Sequence, residues 1–199
     1  MNDSALLSTA SGDNVIRALR DYRLEDSATG DNKILNAGMM LLGLAILLRK
    51  LNMVEDVGAL LSQAKKEVAK FEQDLTALGY NNATVMAARY VICTVLDESV
   101  LSQDWGTESI WSTRPLLSTF HKETWGGEKF FSIRDRLKLE PEKFSDLLQF
   151  VYFTQALGFE GKYNLRFDGQ EKLHEILRDS HALLKSVETG PIFQVAPAE

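Results

Sequence analysis

A single cysteine, Cys93, stands in the 199-residue chain, so no intramolecular disulfide can form. The paired cysteines of a structural zinc site are lacking too, and a reducing cytosolic setting is the natural reading. Basic residues are outnumbered: 22 Lys and Arg face 28 Asp and Glu, for a net charge of −6. Nucleic acids and anionic lipid surfaces are both bound by clustered cations, so neither suits this balance. Long apolar runs are also lacking. Residues 34–48 come nearest, but they include Asn36 and two glycines and are closed by Arg49 and Lys50. A spanning helix needs roughly 20 residues, so this segment reads as a buried core helix. The first 31 residues have no basic stretch followed by an apolar core, which excludes a secretory signal. No strand alternation, internal repeat or low-complexity tract appears.

Helical periodicity is what remains. A first helix is expected from about Lys33 to Leu51, capped by Asp31 or Asn32 and apolar nearly all round, hence central in a bundle. A second carries Val54, Val57, Leu61, Ala64, Val68, Phe71, Leu75 and Leu78 at spacings of three and four. Gly79 ends it and Asn81-Asn82 form the turn. At under four heptads it fits packing on neighbouring helices better than a free coiled coil. A third runs from about Ala83 to Leu101. Near its C-terminal end Asp97 and Glu98 oppose the helix macrodipole, a mismatch of about 0.3–1 kcal/mol each and of a kind found at functional sites. Residues 102–114 read as a loop holding Trp105 and Trp111. Pro115 opens a short helix. Gly126-Gly127 start another that turns Phe130, Ile133 and Leu137 inward, and Pro141 starts one bearing Phe144, Leu147, Leu148 and Val151. Gly158 stops it in a C-cap position, with Phe159 packing back. Asp168-Gly169-Gln170-Glu171 has capping-box spacing ahead of a last helix with Leu173, Ile176, Leu177, Leu184 and Val187 on one face. The fold class is all-α. Fourteen of the eighteen aromatics lie between Tyr90 and Phe167, which suggests two helical lobes of different character.

Catalysis has little to work with. A metal-dependent hydrolase would have to use Asp97, Glu98 and His121, yet no H-E-x-x-H exists, and the other histidines, His174 and His181, fall in the last helix. A structural His121 is the default. Cys93 sits in an apolar helical run and reads as inert, and no serine occupies a G-x-S-x-G elbow. Gly126-Gly127-Glu128-Lys129 lacks phosphate-loop spacing; its glycines serve a sharp turn after Trp125. The tryptophans read as core anchors, with Trp105 the one partly exposed and Trp125→Ala expected to misfold. No cofactor, metal or small-molecule substrate is expected. Aromatics flanked by carboxylates suit protein contacts instead.

Three ordered segments carry a family resemblance. They are Arg89-Tyr90 with Leu96-Asp97-Glu98 and Trp105-Gly106; Leu116-Leu117-Ser118-Thr119-Phe120-His121-Lys122-Glu123-Thr124-Trp125-Gly126-Gly127-Glu128-Lys129-Phe130-Phe131; and Leu157-Gly158-Phe159-Glu160-Gly161-Lys162-Tyr163. Together they resemble the cytoplasmic domain of the DotU/IcmH family, called TssL in type VI secretion systems. The resemblance implies two three-helix bundles forming a hook, at the cytoplasmic face of the bacterial inner membrane. The implied partners are a TssM/IcmF-type membrane protein and the baseplate proteins TssK and TssE. It further implies that Asp97 and Glu98 line a cleft and, with Trp105 and Glu123, meet partners. His121, Trp125, Gly126, Gly127, Glu128, Phe130, Gly158, Phe159, Gly161 and Tyr163 would shape the fold around that cleft. Family members continue into a C-terminal transmembrane helix through which a homodimer can form. On that pattern residues 1–31 are a polar arm, 32–189 the helical domain, and 190–199 a linker toward an anchor. A type IV (Dot/Icm) component that stabilises IcmF is the alternative within the family; a helical adaptor outside secretion is one beyond it.

Overall fold

The computed structural model describes residues 31–187; the polar arm (except Asp31) and the linker expected from the sequence lie outside them. Among the described residues nine α-helices and one 3₁₀ helix carry the fold. Helix α1 spans Lys33–Leu48, α2 Val57–Ala77 and α3 Asn82–Leu101. Three short helices follow, α4 (Asp104–Thr107), α5 (Ile110–Thr113) and α6 (Leu116–His121). Then come α7 (Gly127–Leu137), α8 (Ser145–Ala156), the 3₁₀ helix Gly161–Tyr163 and α9 (Gly169–Ser186). The all-α expectation holds.

The N-terminal boundaries are set by side chains that satisfy the unpaired N–H groups of a first turn. Asn32 Oδ1 accepts from Leu35 N at 2.9 Å, Asp56 Oδ1 from Ala59 N at 2.8 Å, and Asn81 Oδ1 from Thr84 N at 2.9 Å. Asn32 does more than cap. Its amide donates to Asp146 O and to Gln149 Oε1, which fixes the start of α1 against α8. Asn81 is thus a cap and Asn82 already helical, rather than both forming a turn. The expected capping box at Asp168 does not form: Asp168 is at the cap position without a side-chain cap bond, because its carboxylate is taken by Arg166.

Helices α1, α2 and α3 pack on one another, and α7, α8 and α9 form a second set; α8 also packs on α1 and α3. The central helix is α3, not α1. Fourteen of its twenty residues are buried, and it touches both sets and all three short helices. Its buried residues lie on every side, so its polar members Arg89, Thr94, Asp97 and Ser99 are buried along with its apolar ones. Helix α1 keeps residues such as Asn36 exposed. The second set is tied by a buried guanidinium. Arg134 of α7 donates to Ser180 Oγ, Ile176 O and Asp179 Oδ2 on α9, so a charge in the core finds acceptors for its donors. Helices α4 and α5 fall in the stretch read as loop; four residues are too few for a hydrophobic period to show.

Candidate functional site

The acidic pair near the end of α3 is used by the fold. Asp97 is only 7% exposed. Its Oδ1 accepts from Trp111 Nε1 at 2.7 Å and Leu116 N at 2.8 Å, while Oδ2 accepts from Leu117 N at 2.8 Å. The carboxylate therefore closes the N-terminus of α6, where Pro115 offers no side-chain cap, and lies at the positive end of that helix. Burial pushes the Asp97 carboxyl up to about 6 against the opposing pull of these donors. Glu98 points to the opposite segment. It accepts from Glu160 N at 2.9 Å and Gly161 N at 2.7 Å, at the start of the 3₁₀ helix, and from Arg49 Nη2 at 3.0 Å. Arg49 completes a latch across the seam by donating to Ser99 Oγ and Leu157 O. Burial raises the Glu98 carboxyl while the Glu160 and Gly161 N–H groups oppose it. The expectation that both carboxylates line a cleft and face partners is corrected for Asp97, which is directed inward at α5 and α6. Glu98 alone lies on the seam, and both of its oxygens are engaged there. The mismatch with the α3 macrodipole is resolved the same way, since each carboxylate serves another segment's N–H groups.

The aromatic-glycine motif is an interlock. Gly126 lies where a Cβ would sit 2.4 Å from Thr94 Oγ1 and 3.0 Å from Leu117 Cδ2; at Gly127 it would be 3.0 Å from Gly161 C and Lys162 N. Neither glycine has a positive φ, so close approach rather than a sharp turn requires them. Gly158 is different: with φ +98 it ends α8 in the left-handed region, and Arg49 passes over it. Behind the glycines the rings of Phe130, Phe131, Phe159 and Tyr163 are in contact, Phe130–Phe159 tilted with centroids 4.2 Å apart and Phe131–Tyr163 edge-on at 4.8 Å. Glu128 is exposed in the first turn of α7, where a carboxylate suits the dipole. Gly126→Ala is expected to cost about 1–3 kcal/mol by overpacking against buried Thr94, measured by urea denaturation; an unchanged midpoint would show that Thr94 yields freely.

On the surface of this region a polar chain runs from α2 to α7. Arg89 is buried and donates to Glu72 Oε2 at 2.6 Å, Phe120 O at 3.1 Å and His121 Nε2 at 3.4 Å. His121 lies edge-on to Tyr90, and burial, followed by the Arg89 and Lys129 charges, depresses it to about 4, so it stays neutral. Tyr90 donates to Glu123 Oε2 at 2.8 Å, and Lys129 pairs with Glu123 Oε1. Asp97, Glu98 and His121 are therefore held by different partners and do not converge. Among the described residues no group of three or more His, Cys, Asp or Glu side chains is placed to hold a metal.

One tryptophan departs from its expected place. Trp125 is 65% exposed and not a core anchor, while Trp111 is fully buried. Trp105 is half-buried and donates to Leu51 O at 2.8 Å. Sequence reasoning passed over Arg49, Arg89 and Arg134 as site-builders. The one available signal was a lone cation beside an apolar run, as with Arg49 after residues 34–48.

This arrangement, with carboxylates spent on two helix starts and a glycine interlock behind the surface, joins the three sequence segments into one structural unit. The family model described as Type VI secretion system protein DotU matches residues 33–199. The chain belongs to the DotU family. Solved DotU-family structures resemble it across the fold. TssL from Vibrio cholerae shares 40% identity over 80% of this chain and 99% of that one, with a TM-score of 0.73. SciP/TssL from enteroaggregative Escherichia coli 042 shares 26% over 84% and 95%, with a TM-score of 0.62. The cytoplasmic domain of TssL from Acinetobacter baumannii matches in fold at a TM-score of 0.72, with 19% identity over 78% and 99%. No curated protein matches the chain. As a DotU-family member the chain is a structural component of a type VI secretion system, which takes the place of the type IV alternative. Among the described residues no helix is long and apolar enough to cross a membrane.

Proposed function

We propose that this chain is a non-enzymatic scaffold at the cytoplasmic face of the inner membrane, joining a TssM/IcmF-type membrane protein to the baseplate through TssK and TssE. The observation that carries the non-enzymatic reading is the use of Asp97 and Glu98. The carboxylates an acid–base or metal mechanism would need accept five bonds from N–H donors within the fold and one from Arg49. Among the residues expected at partner contacts, Glu123 offers the most accessible charge and Trp105 a half-buried ring. Asp97 and Glu98 act behind that surface by holding α6 and the 3₁₀ helix in place.

The test is a calorimetric titration of the chain with the TssK-type protein of its own organism, using wild type and Glu123→Lys. The Glu123–Lys129 pair is exposed and contributes at most about 1 kcal/mol to stability, so the variant stays folded. A loss of affinity of about tenfold or more with unchanged melting places the contact at Glu123. Unaltered affinity moves the contact elsewhere, and no binding by the wild type overturns the link to the baseplate.

A further inference from the structure

An open groove of about 410 Å³ lies between the first turns of α1 and the last turn of α2. Lys33, Asn36 and Ala37 line it from α1, and Asp74, Ala77 and Leu78 from the end of α2. Leu78 is 44% exposed, so covering the groove would remove apolar surface from water. The end of α2 is also uncompensated in charge. No basic residue stands in its last turn, where the macrodipole places negative charge, and Asp74 adds a carboxylate there. Lys70 pairs with Asp74 at 2.6 Å, but at an exposed position where an ion pair is weak. A groove of apolar lining with a carboxylate beside it suits the apolar face of a helix that carries cations.

We propose that residues 15–23 of this chain's own N-terminal arm occupy the groove. The first argument is pattern. Val15, Leu19 and Tyr22 recur at spacings of four and three, and Ile16 and Ala18 flank them. In a helical register these five residues form one stripe, bordered along one side by Arg20 and Arg23. The second argument is charge. Arg17, Arg20 and Arg23 are the only Lys or Arg among the first 31 residues, and Asp21 is the one carboxylate between them. The segment therefore brings a net positive charge to Asp74 and to the negative pole of α2. The third argument is reach. Residues 24–30 span up to about 25 Å when extended, and they lead to Asp31, two positions before Lys33 at the groove. A tether this short keeps the segment at a high effective concentration beside it. Residues 15–23 also precede the stretch matched by the DotU model, so the family fold does not account for them.

Trypsin tests this, because the arginines that would dock are themselves its cleavage sites. Cleavage after Arg17, Arg20 and Arg23 is followed by mass spectrometry in the 199-residue chain and in a free peptide of residues 10–28. The expected rate in the chain is at least about tenfold below that of the peptide, since proteolysis follows the population of the undocked state. Asp74→Asn/Leu78→Ser is expected to bring it within about threefold of the peptide, and Leu19→Ser to do the same from the arm side. Leu139→Ser, 80% exposed on the turn after α7, should leave the protection unchanged. Leu78 and Leu139 are exposed and Asp74→Asn keeps the shape of the side chain, so folding is preserved; circular dichroism verifies it. Cleavage at the peptide rate overturns the proposal, as does protection indifferent to the groove substitutions. Protection that fades on dilution overturns it in favour of docking on another copy. Protection gained only with phosphatidylglycerol vesicles overturns it in favour of a lipid surface.

Discussion

Asp97→Ala is expected to destabilise the domain by about 3–5 kcal/mol. The substitution leaves Trp111 Nε1 and the backbone N–H groups of Leu116 and Leu117 without their acceptor in a buried site. Each orphaned donor costs about 1–3 kcal/mol, and a domain's whole stability is about 5–15 kcal/mol. A drop in urea midpoint with unchanged slope would register it. The double charge reversal Asp97→Lys/Glu98→Lys should leave the chain unfolded, because it places cations against five N–H donors.

Asp97 also brings a pH dependence of definite sign. Its folded carboxyl is pushed up to about 6, so the folded state holds the proton more tightly than the unfolded chain does. The associated stability is present at the acid end of the window and is lost as pH rises through about 6. Glu123 and Asp179 act oppositely. Lys129 and Lys138 hold them low, and their contribution is lost as pH falls. The quantity to measure is therefore the stability of wild type minus that of Asp97→Asn. It should grow by about 1–2 kcal/mol from pH 7 to pH 5. A flat difference would mean that the three N–H donors outweigh burial and keep Asp97 ionised throughout.

Trp111→Ala and Trp125→Ala should separate widely, although the sequence read both residues as core anchors. Trp111 is fully buried and its indole N–H is an Asp97 partner. Its removal should cost at least about 3–5 kcal/mol. Trp125, 65% exposed, should change stability by no more than about 0.5 kcal/mol. Urea denaturation of the two variants side by side reads the contrast; comparable losses would refute it.

The difference between these tryptophans shows where sequence reasoning stops. Local signals located the long helices: the three- and four-residue spacing of α2, Asn32 and Gly79 at helix ends, and Gly158 after α8. All depend on interactions within a few residues, which a linear pattern records. The all-α class followed from them, and the ordered segments around Asp97, Trp125 and Gly158 were enough for a family resemblance. The roles inside those segments were another matter. Trp111 and Trp125 lie in similar polar surroundings in the chain, and only the closing of α5 onto α3 buries one of them. Gly126 and Gly127 stand together, but the atoms that leave no room for a Cβ belong to Thr94 and Gly161. Asp97 and Glu98 are neighbours on a helix whose successive side chains diverge by about 100°. One therefore caps α6 and the other the 3₁₀ helix. The sequence by itself determined the long helices and the kinship, because these rest on short-range periodicity and ordered motifs. Which carboxylates are spent, which aromatics are buried and which face is left uncovered were decided by tertiary structure, through contacts between segments that the chain keeps far apart.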